Sequence, residues 1–176
     1  MKKFLLSLIV MTAAMAANAQ VFVGGEFTLW RNYDANVTNF KLLPTIGYDL
    51  TDKWSVGTQI GYAHDYEAGA KWNSFIIAPF ARYNAVKFGP VTIFGDMEFT
   101  YAMSKLSGTS GTSDAFEVGI KPGLKVKLVK QLSFVSHFGF IGYRHTDGLH
   151  RFNPGSTGFG LDFSGNNLSI GVSYDF

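Results

Sequence analysis

Hydrolytic chemistry would need serine, histidine and acidic residues in a suitable arrangement, and this sequence offers few candidates. Ser136 and His137 are adjacent, and adjacent side chains of a strand point to opposite faces, so they cannot bond as nucleophile and base. His145, Asp147 and His150 share one polar segment, where a hydrolase or metal role is conceivable. Two histidines and one aspartate in a connecting segment are more often solvated surface. We therefore predict no catalytic residue and no metal ligand.

Other chemical signatures are absent from the sequence. It contains no cysteine, which excludes a disulfide framework and a thiolate zinc site. No phosphate loop, dinucleotide fingerprint or nucleophile elbow occurs, and the pairs Gly24-Gly25 and Gly108/Gly111 are better explained as strand and connector glycines. We predict that the protein needs no cofactor and is not an enzyme.

The N-terminus has the pattern of a secretory signal peptide. Lys2 and Lys3 precede an apolar run, and Ala17-Asn18-Ala19 fits a small-x-small cleavage site with Gln20 as the first mature residue. The alternative is an anchoring helix, but the apolar run is short. Residues 1–19 are thus the predicted signal and 20–176 the mature domain. Without the two lysines, 13 basic residues face 13 acids, so the charge gives no reason to expect nucleic acid as a partner.

Hydrophobic residues alternate with polar ones along the mature chain. At the C-terminus, Leu168, Ile170, Val172, Tyr174 and Phe176 share one face, and serine, glycine and aspartate fill the other, which is the period of a β-strand. Similar alternation predicts eight strands, most of them about ten residues or longer, the length needed by a tilted transmembrane strand. They are residues 21–31, 39–50, 53–64, 72–84, 90–103, 114–129, 131–144 and 158–176.

Longer and shorter connectors alternate between these strands, so an up-and-down arrangement is expected. The longer ones are residues 32–38, 65–71, 104–113 and 145–157, and the shorter ones lie around residues 51–52, 86–89 and 130. Charged residues make up only 16% of the chain, against about 25% in soluble domains. We predict an all-β, eight-stranded antiparallel up-and-down transmembrane β-barrel with short periplasmic turns and longer extracellular loops.

The alternation does not by itself say which face of the strands points inward. Charges placed in the middle of strands suit a closed interior, aromatic residues cluster near both strand ends as at two membrane interfaces, and glycines favour the polar face. These features predict apolar side chains outside and a filled polar lumen. The alternative is a secreted soluble sandwich or a lipocalin-like barrel with the faces reversed.

The predicted lumen carries near-balanced charge, since an unpaired buried charge costs several kcal/mol. Folding the 104–113 connector at its middle places Asp96 opposite Lys121, the pair that we expect to be best defined. Lys127 is assigned to a rim. The predicted lumen network comprises Glu26, Lys41, Arg82, Asp96, Glu98, Glu117, Lys121 and Lys125.

Three prolines and one change of phase interrupt the pattern. Pro44, Pro79 and Pro122 fall within predicted strands, where each removes a ladder hydrogen bond, so we expect bulges or register shifts there. The last strand changes phase between Phe163 and Leu168, which predicts a bulge or loop near 165–167.

With these features the chain resembles the small outer-membrane barrels of Gram-negative bacteria, the outer-membrane protein X and outer-membrane protein A group and porin-like barrels more broadly. The motifs are the signal ending in Ala17-Asn18-Ala19-Gln20, the glycine-rich alternating strands and the terminal Tyr174-Asp175-Phe176. The resemblance implies an integral outer-membrane location and contact with lipid and lipopolysaccharide. It also implies recognition by the barrel-assembly machinery through the residues Leu168, Ile170, Val172, Tyr174 and Phe176.

The function expected from this resemblance is structural or interactive, with four loops presented for envelope integrity, adhesion or ligand contact. The basic residues near the last long connector would contact lipopolysaccharide phosphates; they are Arg144, His145, His150 and Arg151. Three alternatives stay open: a narrow porin-like channel for small solutes, a lipid A-modifying acyl hydrolase or transferase, and a soluble binder. The deacylase pattern His-x-Ser is missing at His137, where Gly139 takes the place of the serine.

Overall fold

A computed structural model describes residues 20–33, 36–67, 69–108, 111–146, 157–164 and 167–176. The predicted signal peptide, residues 1–19, lies outside this part of the chain. The described residues include no helix that is long and apolar enough to cross a membrane.

The described chain is all β, as the alternation predicted. It forms ten strands in sequence order: β1 (Val21–Asn32), β2 (Val37–Asp49), β3 (Trp54–Glu67), β4 (Ala70–Phe88), β5 (Val91–Leu106), β6 (Thr112–Lys127), β7 (Leu132–Phe138), β8 (Phe140–Thr146), β9 (Gly158–Asp162) and β10 (Leu168–Asp175). Several of these strands extend well into the predicted connectors, so the connectors narrow to 33–36, 68–69, 107–111 and 147–157.

The ten strands make eight spanning segments of a closed antiparallel barrel. Strands β1 to β6 each pair with the next strand along the chain. Strands β7 and β8, separated by Gly139, both pair with β6 and together form the seventh segment. Strands β9 and β10 form the eighth, and β10 closes the ring by pairing with β1 and β7. Where the segments are paired, closure satisfies the backbone hydrogen bonds that hydrocarbon cannot, as a membrane barrel requires; β1 is paired with β10 from Phe22 to Phe27.

The seventh segment is broken by a bulge at Gly139. The sequence predicted an irregularity at Pro122, which lies on the neighbouring strand β6 opposite this bulge. Ile120 pairs with Ile141 and Gly123 with His137, so two residues of β6 face three of the other segment. Gly139 takes up the extra residue with φ of 151°, a value that favours glycine. As a result, odd-numbered residues face inward in β7 and even-numbered residues in β8.

The other proline predictions fare differently. Register is unchanged across Pro44 and Pro79, so the shifts expected there were wrong. A register shift that we did not predict occurs between Asn84 and Val86 in β4. The break expected near 165–167 is present, because β9 ends at Asp162 and β10 begins at Leu168.

Apolar side chains face outward and charged ones inward. In β5, Ile93, Met97 and Phe99 are each more than two-fifths exposed, whereas Asp96 and Glu98 are buried. This is the predicted orientation of the two faces. The interior also contains an apolar cluster that we did not predict, made of Leu43, Ala63, Ile76 and Ala102. Trp72, an aromatic residue near a strand end, is buried rather than exposed at a membrane interface.

Candidate functional site in the barrel lumen

The centre of the lumen is occupied by a chain of charged groups that crosses the barrel. Arg82 on β4 and Asp96 on β5 are cross-strand neighbours, and the guanidinium donates from Nε and Nη2 to the two carboxylate oxygens, at 2.7 Å each. Such a bidentate pair is the strongest common ion-pair geometry. The Arg82 guanidinium also lies 3.9 Å from the centre of the Phe94 ring, which shields one of its faces from water.

His137 connects this pair to the opposite wall of the barrel. Its Nε2 lies 2.9 Å from Oδ2 of Asp96, and its Nδ1 lies 3.0 Å from Oε1 of Glu26 on β1. Because both ring nitrogens face carboxylates, both act as donors. Gln59 donates to the same Oε1 of Glu26 at 3.1 Å, and the Ser169 hydroxyl donates to its Oε2. We call Arg82, Asp96, His137 and Glu26 the central chain.

A second cluster lies nearer the 147–157 connector. The Lys121 Nζ is 2.6 Å from Oε1 of Glu98 and 3.7 Å from Oε1 of Glu117. Arg144 donates from Nε to Oε2 of Glu117 at 2.5 Å. Its other nitrogens donate to Oδ2 of Asp162 at 2.7 Å and to the Asn167 amide oxygen at 2.9 Å. Arg144 thus ties β8 to β6, to β9 and to the break between β9 and β10.

A third ion pair lies near the short turns. The Lys125 Nζ is 2.8 Å from Oδ1 of Asp175, and the two side chains are 22% and 28% exposed. Because both groups keep part of their hydration, removing one partner of this pair should cost less free energy of unfolding than removing one partner of the central chain.

The structure brings most of the predicted lumen residues together but rearranges their partners. Asp96 and Lys121 do lie opposite each other across β5 and β6. Their side chains nevertheless bond elsewhere, so the prediction that they form the best-defined ion pair was wrong. Asp96 has Arg82 on its other side, and a bidentate guanidinium fits a carboxylate better than a single ammonium does. Lys41 lines the same lumen beside Lys121 and Glu26.

The lumen also holds Arg144, Asp162 and Asp175, which the predicted network omitted, and His137, which lies at its centre. Asp162 and Asp175 carry no local motif. Arg144 was assigned to lipopolysaccharide contact, which is wrong, because its side chain is buried against Glu117. Its inward position depends on the phase change at Gly139, which turns even-numbered residues of β8 inward and which the local sequence does not reveal.

Two voids of about 50 Å³ and about 10 Å³ lie in the lumen. The larger is lined by residues of both the central chain and the second cluster, among them Glu26, Lys41 and Lys121. A single water needs about 10–15 Å³, so these voids fit a few waters at most.

No catalytic arrangement is found among the described residues. Ser136 donates its hydroxyl to the backbone oxygen of Ser169 at 2.9 Å and is not bonded to His137, and His145 is exposed. Asp147, His150 and Arg151 lie outside the described residues. Within residues whose structure is described, no group of three histidine or acidic side chains is placed to hold a metal ion.

The C-terminal strand presents its apolar residues to the outside, as the sequence suggested. Leu168, Ile170, Val172, Tyr174 and Phe176 are all exposed, and Phe176 reaches 62%. The backbone of this strand pairs with β1 on one side and β7 on the other. The strand therefore combines a structural role in closing the ring with an apolar outer surface.

Comparisons with known proteins agree with this geometry. Residues 4–176 match the family described as outer membrane protein beta-barrel domain. The crystal structure of Neisserial surface protein A covers 89% of this chain and 96% of its own, with a TM-score of 0.54 and 13% identity, which shows a shared fold. OmpT of Vibrio cholerae covers 89% of this chain and 52% of its own at 15% identity, and its TM-score of 0.41 supports no conclusion. No curated protein matches the chain. The chain belongs to the outer membrane protein beta-barrel domain family and resides in the outer membrane.

Proposed function

We propose that this protein is a non-enzymatic structural and surface-contact protein of the outer membrane whose lumen is plugged. The observation that carries the proposal is the central chain, in which Arg82, Asp96, His137 and Glu26 connect opposite walls of the barrel. Paired charges replace the water that a channel would hold in the same place.

Ion passage through this lumen would require these pairs to separate. Separating a buried pair leaves each partner uncompensated at a cost of about 3–5 kcal/mol. The voids between the groups, about 50 and 10 Å³, are too small for a hydrated ion. These features support a barrel that stabilises the membrane rather than one that transports solutes.

Contact with lipopolysaccharide is proposed to occur at the rim next to connectors 33–36, 68–69 and 107–111. Arg31, Lys71 and Lys105 are exposed there, near the ends of β1, β4 and β5. Cations at this level can pair with phosphate groups of the outer leaflet. They take over the role that the sequence analysis had given to Arg144.

We also propose that the final strand acts as the signal for the barrel-assembly machinery. The support is its unbroken outward apolar face ending in Phe176. A strand that closes the ring is also the last to be paired, so its edge is free for recognition until closure.

Conductance in a planar lipid bilayer tests the plugged barrel. The purified, folded protein is expected to give no steady current steps. Defined, reproducible steps would contradict the proposal and favour the narrow channel. The mass spectrum of lipid A from cells with and without the protein tests the non-enzymatic assignment, and an altered acyl pattern would contradict it.

A further inference from the structure

Within the described part of the chain, the barrel wall is incompletely paired between β1 and β9. Strand β1 pairs with β10 only from Phe22 to Phe27. Strand β9 pairs with β8 on one side, and its other side faces β1. Among the described residues, nothing pairs β1 residues 28–32 with β9 residues 158–162. We call these two stretches the β1–β9 seam.

The outer side of the seam is strongly apolar. Leu29, Phe159 and Leu161 are 65%, 80% and 70% exposed. Outward-facing residues in the fully paired wall, such as Phe99 and Ile120, are 45% exposed. A lipid-facing side chain is usually flanked by those of the neighbouring strand, and here no described residue is paired on that side. An acyl chain would find more apolar contact surface at these three residues than at Phe99 and Ile120.

The inner side of the seam is polar and has room. A Cβ added at Gly158 or at Gly160 would meet no atom within 4 Å. The Thr28 hydroxyl oxygen is buried without a hydrogen-bond partner. The 50 Å³ void lies deeper in the lumen, and its lining includes Glu26 on β1 and Asn167 and Ser169 next to the β9–β10 break, but no residue of the seam itself.

The β8–β9 hairpin that borders the seam is joined to the barrel through two breaks at one level. One break is at Gly139, and the other begins at Phe163. The two are in contact, because the Phe163 ring occupies the position that a Cβ of Gly139 would take. The hairpin is bonded to β6 along β8, while its β9 edge borders the seam. The β9 edge thus borders the seam without strand pairing to any described residue, while Asp162 anchors β9 to Arg144 at 2.7 Å.

We propose that the β1–β9 seam is a lateral binding slot for a single-chain amphiphile with an uncharged, hydrogen-bonding head group. The acyl chain lies along Leu29, Phe159 and Leu161 on the lipid side. The head group reaches the Thr28 hydroxyl and the backbone N–H and C=O groups of the two strand edges. This occupant supplies the hydrogen bonds that hydrocarbon alone cannot give to these edges.

The charge pattern behind the seam selects an uncharged head group. Asp162 is bonded to Arg144 at 2.7 Å, and Glu26 to His137 at 3.0 Å. A charged head group placed beside these pairs would be buried without a partner, which is costly.

The test uses the folded full-length mature protein in phospholipid vesicles with a monoacylglycerol that carries a diazirine on its acyl chain. After illumination, mass spectrometry locates the labelled peptides. Labelling is expected to concentrate on residues 28–32 and 158–162 and to saturate, with unlabelled monoacylglycerol competing and a lysophospholipid of anionic head group competing about tenfold less well. Labelling spread evenly around the barrel, or without saturation, would overturn the proposal.

A substitution that fills the slot provides the second arm. Gly160→Phe places a ring in open space on the inner side of the seam, and it is expected to lower saturable labelling about tenfold. Gly111→Phe is the matched control, because Gly111 also has open space around its Cβ position but lies in a connector; its labelling should equal that of the wild type. Equal labelling of the Gly160→Phe variant and the wild type would also refute the slot. The wild-type distribution decides the matter even if the Gly160→Phe variant does not fold.

Discussion

Neutralising Asp96 probes the energetic role of the central chain. Asp96 is fully buried and accepts three hydrogen bonds, two from Arg82 at 2.7 Å and one from His137 at 2.9 Å. Asp96→Asn keeps the shape of the side chain but removes the charge that compensates the guanidinium. Breaking a buried pair in this way costs about 3–5 kcal/mol of unfolding free energy.

The matched control is Lys125→Gln, which neutralises one partner of the ion pair with Asp175. Since these side chains are 22% and 28% exposed, the loss should be about 0–1 kcal/mol. Both variants are refolded into detergent micelles or vesicles and unfolded in urea, with tryptophan fluorescence and heat-dependent gel mobility as readouts. The double variant Arg82→Gln/Asp96→Asn should lose less than the sum of the single losses, because no charge is left without its partner.

Equal losses for Asp96→Asn and Lys125→Gln would refute the reasoning. They would mean that water reaches the centre of the lumen as readily as its rim, and the plugged barrel would lose its physical basis. A strictly additive double variant would likewise show that Arg82 and Asp96 do not act as a pair.

Three further predictions concern the wall of the barrel. Met97→Arg, on the lipid-facing side of β5, should lower the free energy of unfolding by about 2–4 kcal/mol. Leu128→Arg, in a short turn, should lower it by only about 0–1 kcal/mol. Equal effects of the two variants in urea unfolding would mean that the faces are inverted. Gly119→Ala should markedly lower the urea midpoint, because its Cβ would lie 2.3 Å from the Ile141 backbone oxygen, whereas Gly95→Ala, with its nearest atom at 3.4 Å, should be tolerated. Deleting Phe176 should reduce the amount of folded protein in outer membranes while leaving refolding in detergent largely intact; normal amounts in cells would contradict the assembly signal.

The fold was predictable because the alternation is strong wherever one face meets lipid. The phase of β5 and of β10 is unambiguous, and a single misplaced charge on the outer face would cost several kcal/mol. The bulge at Gly139 was harder to predict, since Phe138 and Phe140 flank the glycine and apolar residues continue on both sides of it. A glycine between two phenylalanines gives no local sign that the phase changes.

Which residues face the lumen was easier to predict than which of them form ion pairs with each other. Asp96 on β5 has a basic cross-strand neighbour on each side: Arg82 on β4 and Lys121 on β6. Sequence spacing identifies both neighbours, but the choice between them depends on side-chain geometry. Arg144 was missed for a different reason: counted from His137 without the bulge, it falls on the outward phase, and only the extra residue at Gly139 turns it inward.

Oxygen accessibility along β5 tests most directly which side chains touch lipid. The sequence has no cysteine, so single cysteines can replace residues 93 to 104 one at a time and carry a nitroxide spin label in vesicles. We predict a period of two, with high collision rates with dissolved oxygen at Ile93, Met97 and Phe99 and low rates at Thr100 and Ser104. Maxima at the even-numbered positions, or the absence of any alternation, would contradict an apolar exterior around a charge-filled interior.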